Sequence, residues 1–207
     1  IDHHNPQQME RVRYYNPRMT EPDVNIAASR LCYDVVKQDL WIAMCGIVGD
    51  WQLHEDLLPE FRKQYPELVP EKIRTPEDAL FSTKLGELIQ VMAFVLKGET
   101  RQVNTCIKIM TRINDPYEIL DKTSPQGRFI YKTYQKTKKG YDKLLKKIVK
   151  MPKKGKYLIF TYPDDEESFS KDLANYVLYR YPKKIIMIGR EKNGNIIADI
   201  CGNITQY

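Results

Sequence analysis

Histidine is scarce in this chain: three in 207 residues, two of them side by side in the opening stretch Ile1-Asp2-His3-His4. Long hydrophobic runs are missing too. The longest, Trp41 to Gly49 (WIAMCGIVG), is about half the ~20 apolar residues of a membrane span, so no membrane association is expected. The first residues show no basic start, apolar core or small-residue cleavage site, so no secretory signal is expected. No initiator Met stands before Ile1, so the reading frame is expected to extend upstream. Cys32, Cys45, Cys106 and Cys201 are far apart and make no C-x-x-C pair, which excludes a zinc ribbon or a thioredoxin-like motif. Three of them sit in apolar helical patterns, where free cysteine acts as a small hydrophobe. A reducing cytoplasm is the expected compartment. Internal repeats and low-complexity tracts are absent.

Charge is abundant but uneven. The net charge is +6, yet Arg128 to Lys156 holds twelve Lys/Arg against one acid, Asp142. That segment is about +11, leaving the rest of the chain about −5. Such concentration points to a polyanionic partner. The alternative is a solvated lysine-rich helix.

Residues 1 to 18 read as a strand end followed by an irregular loop. A helix is predicted from Thr20, with Thr20 as cap, Pro22 in the first turn and Asp23 completing a capping box. Ala27/Ala28, Leu31/Cys32 and Val35/Val36 continue it at helical spacing. DLWIAMCGIVGDW predicts a second helix, apolar all round and therefore buried. A short helix and a loop with Pro66 and Pro70 follow. Residues 75 to 98 predict one long helix, capped by Thr75, opened by Pro76 and stopped by Gly98. TRQVNTCIKIMTRI and DPYEIL predict two more. A basic helix follows over about 127 to 150, with Ile130, Tyr134, Tyr141, Leu144/Leu145 and Ile148 on its apolar side. After MPKKGK the pattern becomes strand, helix, strand, turn and strand, with Asn193-Gly194 as a hairpin signal. The fold class is α/β, mostly helical, with three regions: 1–125, a connecting helix 126–152, and a small α/β region 153–207.

The candidate chemistry starts at Asp2, His3 and His4. Neutral imidazole is a common metal ligand, and carboxylates suit hard divalent cations. Adjacent residues on a strand point to opposite faces, whereas in a loop both histidines can face one cleft. Asp2 can orient a histidine from behind. The competing reading is an exposed, tag-derived pair near a terminus. Asp50, at the end of the apolar helix, is costly unless paired or metal-bound, and Gly49 before it permits close approach. The competing reading is an ordinary helix-terminal turn. His54 reads as a surface residue rather than a ligand.

IDHH followed about 45 residues later by GIVGD resembles the DHH phosphoesterase superfamily. NP…N-x-x-A-S-x-x-x-Y between them is similar to the stretch linking the family's third and fourth motifs. LFSTKLGELIQVMAFVLKG and INDPYEIL resemble archaeal RecJ-like nucleases, including the GINS-associated nuclease. YLIFTYP…KKIIMIGREKNGNIIADICGN resembles the start of the DHHA1 substrate-binding domain. The resemblance implies a DHH-like region joined by the basic helix to a DHHA1-like region. It implies metal-dependent phosphodiester hydrolysis with two Mn²⁺, or Mg²⁺, ions. His3 and Asp50 then correspond to metal ligands and His4 to the residue that contacts the scissile phosphate or supports the metal site. Asp2 supports the catalytic histidines, and Asn25 and Ser29, near a helix N-terminus, either contact phosphate or serve in capping and packing. The family places a D-x-D element before its DHH and a G-G-G-H element after the hairpin. No D-x-D occurs in these residues, so this stretch by itself is expected to be inactive or very weak.

The basic segment fits a nucleic-acid substrate independently of the resemblance. Lys132, Lys136, Lys139, Lys143 and Lys147, with Lys146 and Lys150, can track a phosphate backbone. Tyr131, Tyr134 and Tyr141 either stack bases or pack inward. The leading expectation is a RecJ-like exonuclease on single-stranded DNA or RNA. Two alternatives remain. One is an oligoribonucleotide or nucleotide phosphatase, or a polyphosphate hydrolase, of the same superfamily. The other is a non-catalytic replication scaffold binding GINS, other replication proteins or DNA.

Overall fold

A computed structural model gives the structure of residues 1–7, 11–152, 154–163 and 167–202. Among these residues the fold is α/β and mostly helical, with nine α-helices and one three-stranded sheet. The chain divides into two compact units, Ile1–Gln90 and Val91–Tyr207. The boundary falls within one helix, Lys84–Val95. Among the described residues no helix is long and apolar enough to cross a membrane, and all four cysteines are free thiols.

The first unit is built on α2 (Leu40–Gly49), whose Trp41, Ala43, Met44, Cys45, Ile47 and Val48 are all buried. A helix without a polar face has to be enclosed, and α1 (Ala28–Val36) packs on it. Gly46 sets the approach: a Cβ there would lie 2.6 Å from that of Ser29. α1 starts at Ala28, well after the expected Thr20. The Thr20 hydroxyl instead donates to the Pro17 carbonyl, closing a 3-10 turn over Pro17–Met19, and a second turn joins Val24 N–H to the Glu21 carbonyl. Ala27, the N-cap, has no side chain to offer. Gln52 Oε1 accepts from Ala27 N–H at 3.0 Å, and His3 Nδ1 accepts from Ala28 N–H at 3.1 Å. Residues far along the chain thus satisfy donors that a local cap satisfies elsewhere. The expected strand end at Ile1 is also not formed; one ladder-like bond, Asp2 N–H to the Tyr15 carbonyl at 3.0 Å, ties the segment.

The rest of this unit comprises α3 (Leu58–Gln64), α4 (Pro76–Ser82) and the start of α5 (Lys84–Val95). Thr75 caps α4 through Asp78 N–H, as its sequence announces. The single helix expected over 75 to 98 is broken at Thr83, which is extended at φ −128, ψ 165. Thr83 Oγ1 donates to the Ala79 carbonyl at 2.5 Å and accepts from Gly86 N–H at 3.1 Å. One hydroxyl therefore closes α4 and caps α5. Gly86 is needed there, because a Cβ would lie 2.0 Å from the Leu80 carbonyl oxygen.

The second unit contains α6 (Thr100–Met110), α7 (Pro116–Leu120) with an Asp115/Glu118 capping box, and α8 (Pro125–Lys150). Ser124 caps α8 through Gly127 N–H. Ile130, Tyr134, Tyr141, Leu144 and Ile148 are buried along one side of α8. Tyr134 and Tyr141 join Phe94, and Tyr141 also meets Phe169, at ring separations of 5.2 to 6.0 Å. The sheet follows in the order β1 (Tyr157–Tyr162), β2 (Ile185–Lys192), β3 (Asn195–Cys201). β1 and β2 are parallel across α9 (Ser170–Arg180), with Leu158 opposite Ile186. The helix expected to begin near Glu166 starts at Ser170, and residues 164–166 lie outside the described residues. β2 and β3 form the expected hairpin. Asn193 and Gly194 both have positive φ, 52 and 77, as a type I′ turn requires. α9 covers the face carrying Leu158, Ile186 and Ile188 with Leu173, Ala174 and Val177. The buried Tyr162 hydroxyl accepts from Phe169 N–H at 2.8 Å and pairs with Ser170 Oγ at 3.0 Å, so this polar tip is satisfied.

Candidate functional site

Asp2 organises the first seven residues. Its Oδ1 accepts from His3 N–H at 2.8 Å, His4 N–H at 3.2 Å and His4 Nδ1 at 2.8 Å. Its Oδ2 accepts from the Tyr14 hydroxyl at 3.0 Å. The two backbone bonds curl the chain, so the adjacent imidazoles lie on one side and stack at 4.3 Å. The His4 ring, then the His4 backbone and Tyr14, hold the Asp2 carboxyl far below the usual carboxylate range. Asn16, itself buried, donates to the His4 carbonyl and to the Tyr14 oxygen, each at 2.9 Å. Tyr14 and Asn16 were not singled out in the sequence. N-P at Asn16-Pro17 signals a turn but says nothing of a carboxylate fourteen residues upstream.

The two imidazoles are held in opposite states. Asp2 can only accept, so His4 donates from Nδ1 and its Nε2 lone pair points outward on a largely exposed ring. His3 is enclosed, and Ala28 N–H donates to its Nδ1, so neutral His3 carries its proton on Nε2. That Nε2 stands 3.8 Å from Asp50 Oδ2, too far for a direct hydrogen bond.

Asp50 is the C-cap of α2, and its side chain is 42% exposed. It is not the dehydrated carboxylate that its apolar flank suggested. Its position is still electrostatically pointed: the C-terminus of a helix carries partial negative charge, and a carboxylate there adds to it. Asp2, His3 and His4 each offer a donor atom within 4.8 Å of the others.

Asn25 and Ser29 flank the start of α1. Asn25 precedes α1 and accepts from Gln52 at 3.4 Å. Ser29 Oγ is buried against Gly46, without a partner among the described residues. Two N–H groups at the start of α1, those of Ala27 and Ala28, are taken by Gln52 and His3. Gln52, another residue not singled out, also meets His54 Nε2 at 3.1 Å. His54 is half-buried, and burial, followed by the neighbouring Arg30, lowers its pKa. Arg30 bridges Asp34 and Asp56, each at 2.8 Å.

In the second unit Lys132, Lys136, Lys139, Lys143 and Lys147 are all exposed, and so are Lys146 and Lys150. Their three- and four-residue spacing puts them on one stripe opposite the buried side of α8. Lys138 lies off the stripe, bonded to Asp142 at 2.5 and 2.6 Å. The tyrosines are not interleaved with this stripe. Tyr134 and Tyr141 are 2% and 4% exposed and belong to the core, so for these two the packing alternative holds. Tyr131 packs edge-on against Tyr134, with Lys122 Nζ 4.0 Å from its ring centre.

Comparison with models of protein families, with curated proteins and with solved structures finds no match to this chain.

Proposed function

We propose that this chain carries part of a divalent-metal phosphodiesterase site of the DHH, RecJ-like type, acting on single-stranded DNA or RNA. The observation that carries the reading is the Asp2-His3-His4 cluster with Asp50 facing His3. The donor set is chemically apt: carboxylates suit Mn²⁺ and Mg²⁺, and imidazole suits transition metals. Asp50 at the negative end of α2 is a place where a cation relieves repulsion. Asp2 bonded to His4 Nδ1 is the carboxylate–histidine pairing that orients metal-site histidines.

In this reading His3 and Asp50 hold a metal, His4 contacts the scissile phosphate, and Asp2 keeps His4 in place. His3 fits on one condition. Its Nε2 can bind a cation only by losing its proton, which moves the tautomer to Nδ1 and gives up the Ala28 contact. Bound Mn²⁺ or Mg²⁺ would supply Lewis acidity and an acidified water. The protein's own share is to aim His4 Nε2 and to exclude water from the His3 side; in the second unit the lysines of α8 offer a surface for a phosphate backbone.

The test is Mn²⁺-dependent nucleotide release from end-labelled single-stranded DNA and RNA by protein from the complete reading frame, beside Asp50→Ala. The expected result is release in the parent and a loss of about 100-fold or more in the variant. Release that persists unchanged in Asp50→Ala removes Asp50 from the site. The lysine stripe favours a second reading, a non-catalytic scaffold that binds nucleic acid alongside GINS or other replication proteins. Tight strand binding with no release at any Mn²⁺ concentration selects it.

A further inference from the structure

α8 carries more than lysines. Its exposed stripe opens with Phe129, 41% exposed, three residues before Lys132. Phe129 lines an open depression of about 880 Å³ shared with Gln102 of α6 and with Lys132, Lys136 and Lys139. An exposed phenyl ring is costly in water, yet this one lies in a concave site rimmed by cations. A lining that combines a phenyl ring with several cations suits a ligand with a flat apolar body and a string of negative charges. Phosphodiester strands have that chemistry: every base has a π-face, and successive phosphates carry the charge. Lys132, Lys136 and Lys139 rise along α8 in steps of ~4.5–6 Å, on the scale of one nucleotide of an extended strand. The Asp142 carboxylate at the far end is paired with Lys138 and so does not repel a phosphate.

We propose that this depression is a single-strand binding subsite in which one unpaired base stacks on Phe129 while the following phosphates run along Lys132, Lys136 and Lys139. The subsite deepens the nucleic-acid reading above and rests on it. It requires an unpaired base, because a base inside a duplex already has both faces stacked. Gln102 and Gln135 at the rim can bond base edges, and their amides bond every base to some extent.

Fluorescence anisotropy with a labelled oligonucleotide, in EDTA so that nothing is cleaved, tests this in the whole chain. Phe129→Ala is expected to weaken single-strand binding by roughly 5- to 100-fold. Phe129→Trp is expected to keep it and to lose indole fluorescence when the strand binds. Duplex affinity should be nearly unchanged in both. A triple Lys132→Ala, Lys136→Ala, Lys139→Ala variant should weaken both strands and flatten the salt dependence. Phe129→Ala binding single strand as the parent does, with an unaltered circular-dichroism spectrum, overturns the subsite. Equal losses for duplex and single strand overturn it as well, leaving only electrostatic attachment. Because the readout is metal-free, absent hydrolysis with intact Phe129-dependent binding sinks the phosphodiesterase reading alone.

Discussion

His4 Nδ1 lies 2.8 Å from Asp2 Oδ1, and the same oxygen also receives the two backbone N–H groups of the histidine pair. One carboxylate oxygen therefore shapes the loop and selects the tautomer of the exposed imidazole. Removing it should disturb the cluster without touching the core. On the proposed role of His4, Asp2→Asn is expected to lower Mn²⁺-dependent nucleotide release about 10- to 100-fold while leaving the melting temperature almost unchanged. A release assay and a thermal melt check the two halves. Unchanged release in the variant would mean that Asp2 does not position His4 for the reaction.

The Asp2 carboxyl also sets a pH window. Its folded pKa is depressed below the ordinary 3.8, chiefly by the His4 ring. A depressed carboxylate contributes stability that is present above the unfolded pKa and is lost as pH falls through the folded one. The loop should therefore hold at any pH above about 4 and open only in stronger acid. A carbon-13 titration of Asp2 should show its inflection well under 3.8. An inflection at the ordinary value removes the dyad.

His54 gives a window nearer neutrality. Burial, then Arg30, lowers its pKa below 6.5, so the unfolded chain binds its proton first. Stability attributable to His54 is complete above about 6.5 and falls as pH drops through its folded pKa. The melting temperature should decline between about pH 7 and 5, and His54→Gln should flatten part of that decline. Identical slopes in the two proteins would show that His54 does not contribute.

Gly127 lies where α8 begins against α7. A Cβ there would lie 1.7 Å from the Glu118 carbonyl oxygen, a backbone atom that no rotamer can move. Gly127→Ala should destabilise by about 3 kcal/mol or more. Gly155 has nothing within 4 Å of an added Cβ, and φ +73 alone opposes alanine, so Gly155→Ala should cost only about 1 kcal/mol. Denaturant midpoints of the two variants give the comparison, and equal shifts contradict the packing argument.

Thr83 carries the break between α4 and α5 on one hydroxyl. Thr83→Val keeps its volume and removes both bonds, with an expected loss of about 1–2 kcal/mol. Equilibrium unfolding of the variant measures it. A loss under a few tenths would mean that backbone packing at Gly86 sets the break without help.

Much of the local structure was legible in the chain. α2 was readable as a buried helix because no arrangement in water suits nine consecutive apolar or small residues. The cap at Thr75 and the Asn193-Gly194 turn act within a few residues of themselves, so their effect follows from the local sequence. The 3.6-residue period of α8 separated its lysines from its core side chains in the same way. In the candidate site, Asp2, His3 and His4 were recognisable as potential donors because their side-chain chemistry is intrinsic.

Tertiary contacts decided the rest. α1 begins at Ala28 because Gln52 and His3, each 25 residues from the group it caps, supply the acceptors that Thr20 was expected to supply. The exposure of Asp50 and the protonated nitrogen of His3 likewise depend on neighbours distant in the chain. Periodicity reports which residues share a face, but a hydrogen bond or a buried ring belongs to whichever partner the fold brings alongside. The sequence by itself determined which groups exist and which stretches coil or extend. Only the packed structure determined that two adjacent histidines, one pinned by a helix end and the other by a carboxylate, carry their protons on different nitrogens.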